Sequence, residues 1–137
     1  MKIVLDTNIV LDLLLEREPH CYFAEQIFSL IEQEKHQGFL CATTLTTIDY
    51  LLSQHLSRNE SRQTVARLLR LFEVAPVNRT VIERALSSPM IDFEDAVMDQ
   101  SAVLCGAKGI ITRHRKDFLK SVTRIFDPQE FLSQILR

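Results

Sequence analysis

The 137-residue sequence contains few of the residues that interrupt ordered structure or build disulfide scaffolds. It has no Trp, three Gly, four Pro and three Cys. So little Gly and Pro excludes a low-complexity linker, and no internal repeat is present. Cys21, Cys41 and Cys105 are odd in number and widely separated, which excludes a disulfide framework and a zinc site with closely paired ligands. We expect all three cysteines to lie in the core.

A long uninterrupted apolar run is also missing. The N-terminal segment MKIVLDTNIVLDLLLE is apolar, but Asp6, Asn8 and Asp12 interrupt it before it reaches the length of a signal sequence or membrane span. We therefore expect a cytoplasmic protein with no membrane segment. Residues 1–137 are enough for a single domain that buries about two-thirds of its unfolded surface.

An unusual concentration of acids lies in the segment MIDFEDAVMDQSA, residues 90–102. It contains Asp92, Glu94, Asp95 and Asp99. Like charges four residues apart on a helix, as at positions 95 and 99, cost roughly 0.2–0.5 kcal/mol. Capping of the helix explains Asp92, but it leaves Asp99 unexplained. A hard cation such as Mg²⁺ or Mn²⁺, which prefers oxygen ligands, would neutralise such a cluster.

Short apolar segments alternate with amphipathic helical segments along the chain. The five segments that predict strands are KIVL (2–5), FLCAT (39–43), EVAPV (73–77), GIIT (109–112) and VTRIF (122–126). This alternation predicts a three-layer α/β/α sandwich with a mostly parallel central sheet of four to five strands. Pro76 predicts that the third strand lies at an edge of the sheet or ends at this residue.

Helix boundaries are predicted from the residues that begin and end helices. We expect Thr7 or Asn8 to cap the first helix, and Asp12 to be exposed on it. The second helix is predicted to run from Pro19 to about Gln37, ended by Gly38.

Acidic residues follow two of the predicted strands. Asp6 follows the first strand directly, and Asp117 follows the fourth strand after a short loop. Ligands of parallel sheets bind beyond the carboxyl ends of the strands, so these two acids are predicted to share one rim of the sheet.

Three segments together resemble the PIN domain family, in particular its stand-alone type that includes VapC-like toxin ribonucleases. These segments are IVLDTNIVLDLLL, DFEDAVMDQSAVLCGAKGIITRHRKDF and VTRIFDPQEFL. The first resembles the family's first strand and metal-binding aspartate. The second resembles its acid-bearing helix, the following strand and a Thr-Arg loop that ends in Asp-Phe. The third resembles its terminal strand and helix, so the resemblance spans almost the whole chain.

The resemblance implies roles for individual residues. Asp6 and Asp95 match the family's firmest metal-binding acids, and Asp117 matches the acid of the loop after the fourth strand. Asp49 falls where the family usually has a glutamate, and its shorter side chain is a departure from that pattern. Thr112 would position the attacking water or the scissile phosphate. The catalytic set is thus Asp6, Asp49, Asp95, Asp117 and Thr112, with the four aspartates as metal ligands.

Further residues have supporting roles in this interpretation. Candidates for indirect support of the metal site are Asn8, Asp92, Glu94 and Asp99. For Asn8, orientation of Asp6 and capping of the helix are both open. Candidate RNA contacts are Arg113, His114, Arg115 and Lys116, where His114 replaces an asparagine that is frequent in the family.

By resemblance, the function is metal-dependent hydrolysis of phosphodiester bonds in single-stranded RNA, with Mg²⁺ or Mn²⁺ as cofactor. It also implies a homodimer and the toxin half of a toxin–antitoxin pair, with a small antitoxin as partner. Phe131, Leu132 and Leu136 are apolar residues that suit either a partner surface or the core. A non-catalytic RNA- or protein-binding PIN-like module is one alternative. An aspartyl-phosphate phosphatase is another, although it needs an acid where this chain has Asn8.

Overall fold

Five parallel strands form the central sheet of the computed structural model, which describes residues 1–135. The strands are β1 (Lys2–Leu5), β2 (Gln37–Cys41), β3 (Glu73–Ala75), β4 (Gly109–Ile111) and β5 (Ile125–Phe126). Their order in the sheet is β3-β2-β1-β4-β5, and every neighbouring pair is parallel. The predicted sheet is therefore confirmed, and β3 is an edge strand, as Pro76 indicated.

Helices cover both faces of the sheet. They are α1 (Thr7–Leu14), α2 (His20–Glu32), α3 (Ala42–Leu52), α4 (Arg58–Leu71), α5 (Arg79–Leu86), α6 (Phe93–Cys105) and α7 (Pro128–Ile135), with a 3₁₀ turn at Arg115–Phe118. Successive side chains of β1 point to opposite faces. Ile3 and Leu5 pack with α1, α2, α3, α4 and α7, whereas Val4 packs with α5 and α6. These two cores confirm the predicted three-layer sandwich. None of the helices described has the length and apolarity to cross a membrane.

Two helix boundaries differ from the sequence prediction. Helix α2 ends at Glu32 and not near Gln37, because Glu34 takes a left-handed φ of 59° that turns the chain towards β2. Gly38 is a residue of β2 and ends no helix. A Cβ atom at Gly38 would lie 2.7 Å from Cδ1 of the Phe72 ring, so the strand needs glycine there for close packing. Gly106, by contrast, ends α6 with a φ of 77°, as predicted.

The first helix begins one or two residues earlier than predicted. Asp6 is the capping residue of α1, in place of Thr7 or Asn8. Asp6 keeps the extended backbone of β1, and its Oδ1 accepts a hydrogen bond of 2.7 Å from the amide of Thr7. The residue that directly follows β1 therefore also caps α1, and its side chain lies at the rim of the sheet.

The cysteines lie mainly inside the two cores. Cys21 and Cys41 are buried, as predicted, and Cys105 near the end of α6 is half-buried. All three are free thiols. The prediction of small core residues is therefore confirmed for the first two and is partly right for the third.

The apolar residues of α7 belong to the core. Phe131 and Leu132 are buried, and the Phe131 ring packs edge-on against Phe126 with ring centroids 5.6 Å apart. Neither side chain is available to a partner. Leu136 lies outside the described residues.

Candidate acidic active site

The candidate site lies where the strand order of the sheet reverses. β1 and β4 are neighbours, with Leu5 paired to Ile111, although about a hundred residues separate them in sequence. The next residues along the two strands are Asp6 and Thr112, so both emerge at the same carboxyl rim. Crevices at such positions are the usual ligand sites of open parallel sheets.

Asp6 is the centre of a hydrogen-bonded group at this rim. Its side chain is buried, and its Oδ2 accepts hydrogen bonds from Thr112 Oγ1 at 2.7 Å and from Asn8 Nδ2 at 3.0 Å. Asn8 thus contacts Asp6 directly and does not cap α1. Burial raises the pKa of the Asp6 carboxyl, and the hydrogen bonds from Thr112, Thr7 and Asn8 act in the opposite direction.

Asp95 stands in the first turn of α6 beside the other acids. Burial, followed by repulsion from Asp6, Asp92, Asp117 and Glu94, raises the pKa of the Asp95 carboxyl to about 7. Three separate parts of the fold therefore place their carboxylates close enough to repel one another. These parts are the end of β1, the first turn of α6 and the turn after β4. Asp92 caps α6, as the capping interpretation predicted, because its Oδ1 accepts a hydrogen bond of 2.9 Å from the Asp95 amide.

Asp117 lies in the 3₁₀ turn on the open side of the cluster. Its side chain is exposed, and its Oδ2 lies 3.8 Å from His114 Nδ1. The amide of His114 donates to Thr112 Oγ1 at 3.0 Å, which ties the start of the turn to the group around Asp6. His114, which the sequence suggested as an RNA contact, therefore lies among the acids, exposed to solvent.

Asp49 is not brought to this cluster. Its carboxylate accepts hydrogen bonds from Ser61 Oγ at 2.8 Å and Arg62 Nε at 3.3 Å, both on α4. These contacts lower the pKa of the Asp49 carboxyl, the Ser61 hydrogen bond most of all. Asp49 lies eight residues into α3, on the side that faces α4. Its role as a metal ligand stays a prediction that these contacts do not favour.

The side of α3 nearest the site carries hydroxyl groups. Thr44 accepts a hydrogen bond of 3.5 Å from the Thr7 hydroxyl, and Thr47 donates one of 3.4 Å to Glu94. Residues two positions apart on a helix point about 200° apart, so Asp49 faces away from this side. Glu94 is exposed, and its carboxylate reaches from α6 to Thr47 on α3. Sequence reasoning missed these threonines, although the run ATTLTT offered the signal.

Asp99 holds a loop and is separate from the acid cluster. It is buried, and its two carboxylate oxygens accept hydrogen bonds of 2.9 Å from the amides of Val122 and Thr123. The like charge one turn after Asp95 is therefore compensated by backbone donors and needs no cation. These hydrogen bonds to the loop before β5 give Asp99 the structural role that helix capping did not supply.

Both of the predicted RNA-contacting arginines form ion pairs within the protein. Arg113 donates to both oxygens of Asp12, and Arg115 pairs with Glu130. Asp12 is therefore buried, which makes the expectation of an exposed residue wrong. Lys116 is exposed and lines a groove of about 400 Å³ together with Asp95 and Asp117.

The acids are near one another without forming a closed cage. Within residues 1–135, no three acidic, histidine or cysteine side chains converge closely enough to hold an ion in this arrangement. The donors are nevertheless all carboxylate oxygens of like charge, and burial together with their repulsion raises the pKa of Asp95. Such a donor set suits a hard cation such as Mg²⁺ or Mn²⁺.

Comparisons with known proteins agree with this architecture. A relative, Ribonuclease VapC1 of Aquifex aeolicus (strain VF5), is 21% identical over 135 residues, 95% of this chain and 92% of the relative. VapBC2 from Rickettsia felis, solved with a DNA fragment from its promoter, has a TM-score of 0.72 at 14% identity over 93% of this chain and 98% of its own. A toxin–antitoxin complex from Klebsiella pneumoniae has a TM-score of 0.71 at 21% identity over 92% and 97%. The family model described as PIN domain matches residues 2–116, and the chain therefore belongs to the PIN domain family.

Proposed function

We propose that the protein is an endoribonuclease that uses Mg²⁺ or Mn²⁺ to hydrolyse phosphodiester bonds of single-stranded RNA. The observation that carries the proposal is the set of carboxylates at one rim, of which Asp95 has a pKa raised to about 7 by burial and by its acidic neighbours. A fold that maintains such repulsion at a topological switch point favours a cationic ligand there.

The metal would be held by Asp6, Asp95 and Asp117. It would supply the Lewis acidity that makes water a nucleophile at neutral pH and that neutralises charge on the phosphodiester. The side chains have to move towards the ion, since they do not yet converge. Of the remaining acids, Glu94 is better placed than Asp49 to join them, because Glu94 is close enough to repel the Asp95 carboxylate, whereas Asp49 is hydrogen-bonded to α4.

Other residues would orient these acids and attract the substrate. Thr112 fixes the direction of the Asp6 carboxylate through its hydrogen bond of 2.7 Å. Lys116 and Lys120 line the groove beside Asp95 and would contact the phosphates of the RNA backbone, which the acids alone repel. Single-stranded RNA suits an open groove, since its backbone can bend towards the acids.

The partners are proposed from the relatives. The Klebsiella protein is part of a toxin–antitoxin complex, and VapBC2 from Rickettsia felis has a fold like that of this chain. We therefore propose a toxin of this kind, acting in the cytoplasm and inhibited by a small antitoxin protein. We also propose a homodimer, which light scattering would reveal as twice the 15.8 kDa of one chain.

A non-catalytic PIN-like module is the second candidate. The orientation of Asp49 towards α4 favours it, since one of the four expected ligands is engaged elsewhere. The aspartyl-phosphate alternative has no support, because Asn8 occupies the place of the required acid and donates to Asp6.

Cleavage of labelled RNA by the purified protein tests the proposal. Single-stranded RNA, double-stranded RNA and single-stranded DNA are compared in Mg²⁺, in Mn²⁺ and in EDTA. Our proposal expects cleavage of the single-stranded RNA alone, and only with a divalent ion. Binding of RNA without cleavage in either metal would favour the non-catalytic module.

A further inference from the structure

A buried ion pair joins α1 to the loop that leaves β4. The Asp12 side chain is 1% exposed, and Arg113, across 101 residues of sequence, is 23% exposed. The guanidinium donates from Nε to Oδ2 at 2.6 Å and from Nη2 to Oδ1 at 3.1 Å. Arg17 Nε also lies 3.0 Å from Oδ1, as an ion contact without hydrogen-bond alignment. Both oxygens of this carboxylate are therefore occupied by arginine.

Asn8 links the ion pair between Asp12 and Arg113 to Asp6 in the candidate site. Residues four apart share one face of a helix, so Asn8 and Asp12 both face the loop. Asn8 Oδ1 accepts a hydrogen bond of 3.3 Å from the amide of Arg113, and its Nδ2 donates to Asp6. Arg113 is thus held at its backbone by one α1 residue and at its side chain by the other.

The neighbours of Arg113 are the residues that shape the acid cluster. Thr112 donates to Asp6 at 2.7 Å, and His114 donates its amide to the Thr112 hydroxyl at 3.0 Å. The amide of Asp117 donates to the His114 carbonyl at 2.9 Å. A shift of Arg113 would therefore move both the hydroxyl on Asp6 and the turn that carries Asp117.

We propose that Asp12 and Arg113 form a positioning clamp that fixes the loop of residues 112–117 against α1, and so sets the separation of Asp6 from Asp117. This inference rests on the proposed metal-dependent function. It assigns Arg113 a role that differs from the RNA contact suggested by the sequence. The Nε and Nη2 atoms of Arg113 are both engaged by Asp12, so the side chain is held against α1 and does not line the groove beside Asp95. A bidentate arginine fixes orientation as well as distance, which a lysine would not do.

A double-mutant cycle on Mn²⁺ affinity tests the clamp. Asp12→Asn, Arg113→Gln and the double variant are titrated with Mn²⁺ by calorimetry, at a temperature where circular dichroism shows each to be folded. We expect each single variant to bind Mn²⁺ about 10- to 100-fold more weakly, as is typical for residues that orient metal ligands. The double variant should be no weaker than the worse single variant, because the two residues act through one contact.

Two further variants keep the test decisive. Arg113→Lys retains the charge and lessens the risk of unfolding, but it cannot span both Asp12 oxygens, so it too should bind Mn²⁺ more weakly. Arg79→Gln removes an exposed ion pair on α5, with side chains 92% and 60% exposed, and should leave Mn²⁺ affinity unchanged.

The salt dependence of RNA binding in EDTA separates the clamp from an RNA contact. Loss of a phosphate contact lowers the slope of log affinity against log salt, whereas loss of the clamp leaves it unchanged. Folded variants with wild-type Mn²⁺ affinity, or a reduced salt slope in Arg113→Gln, would overturn the inference. Absence of Mn²⁺ binding by the wild-type protein would instead overturn the proposed metal-dependent function, and the clamp's role with it.

Discussion

Replacement of Asp95 by asparagine should stabilise the metal-free protein while it removes metal binding. Burial and acidic neighbours raise the pKa of the Asp95 carboxyl from 3.8 to about 7, so the fold disfavours the ionised form. Asparagine has a similar shape and no charge. The variant should therefore lack a penalty that the wild-type protein carries at neutral pH when no cation is bound.

The size of the effect follows from the pKa. A change from 3.8 to about 7 corresponds to an upper limit of roughly 4 kcal/mol, at about 1.4 kcal/mol for each pH unit. Asp95 is only half-buried, and solvent screening reduces this to about 1–2 kcal/mol. At about 3–4 °C for each kcal/mol in a domain of this length, the midpoint of thermal unfolding should rise by about 3–8 °C.

The pH dependence has a definite sign. Between about pH 4 and pH 7 the carboxyl is ionised in the unfolded chain and protonated in the folded chain. The folded state then binds more protons, so its stability falls as the pH rises through this window and is level above it. The advantage of Asp95→Asn should be absent below about pH 4, grow with pH and be constant above about pH 7.

Thermal unfolding in EDTA, followed by circular dichroism at about pH 4 and about pH 8, measures this difference. Mn²⁺ in place of EDTA should stabilise the wild-type protein and leave the variant unchanged. Glu83→Gln, an exposed acid paired with Arg79, is the control and should give no gain that depends on pH. A variant that is less stable than wild type at the higher pH, or equally stabilised at both, would refute the reasoning.

Substitutions at three more positions test other contacts. Asp49→Asn should lower stability at neutral pH, because the pKa of this carboxyl is depressed, and the loss should disappear in acid as the wild-type carboxyl protonates; melting curves at both pH values check it. Asp99→Asn retains one acceptor for two amides and should cost about 1–3 kcal/mol in urea unfolding. Thr112→Val, which loses the donor to Asp6, should weaken Mn²⁺ binding about 10- to 100-fold by calorimetry, and Thr112→Ser should retain it.

The sheet was predictable because its signals are local. Short apolar strands alternate with amphipathic helices, and this alternation alone indicates a parallel sheet with acids beyond the carboxyl ends of its strands. Asp6 could be placed at the rim because it follows a buried strand directly. Asp92 could be identified as a cap because capping depends on residues within one turn.

The failures concern contacts between distant parts of the chain. The expectation that Asp12 is exposed was wrong because its partner Arg113 lies 101 residues further along the chain. Asp49 was aligned with a family glutamate, but the direction of its side chain depends on how α3 packs against α4. There the Ser61 hydroxyl donates a hydrogen bond to it. Asp99 likewise depends on a loop 23 residues later. One clue was available: Asn8 and Asp12 share a helix face, which indicates that this face meets another polar segment.

The most direct test of the central claim is the turnover of single-stranded RNA with Mn²⁺. It compares the wild-type protein with Asp95→Asn and Asp49→Asn, at equal concentration and with folding verified. The account predicts that EDTA and Asp95→Asn each abolish cleavage, and that Asp49→Asn, outside the cluster, retains most of it when measured well below its melting temperature. Full cleavage by Asp95→Asn, or cleavage that persists in EDTA, would contradict the assignment of this acidic rim as a metal-dependent ribonuclease site.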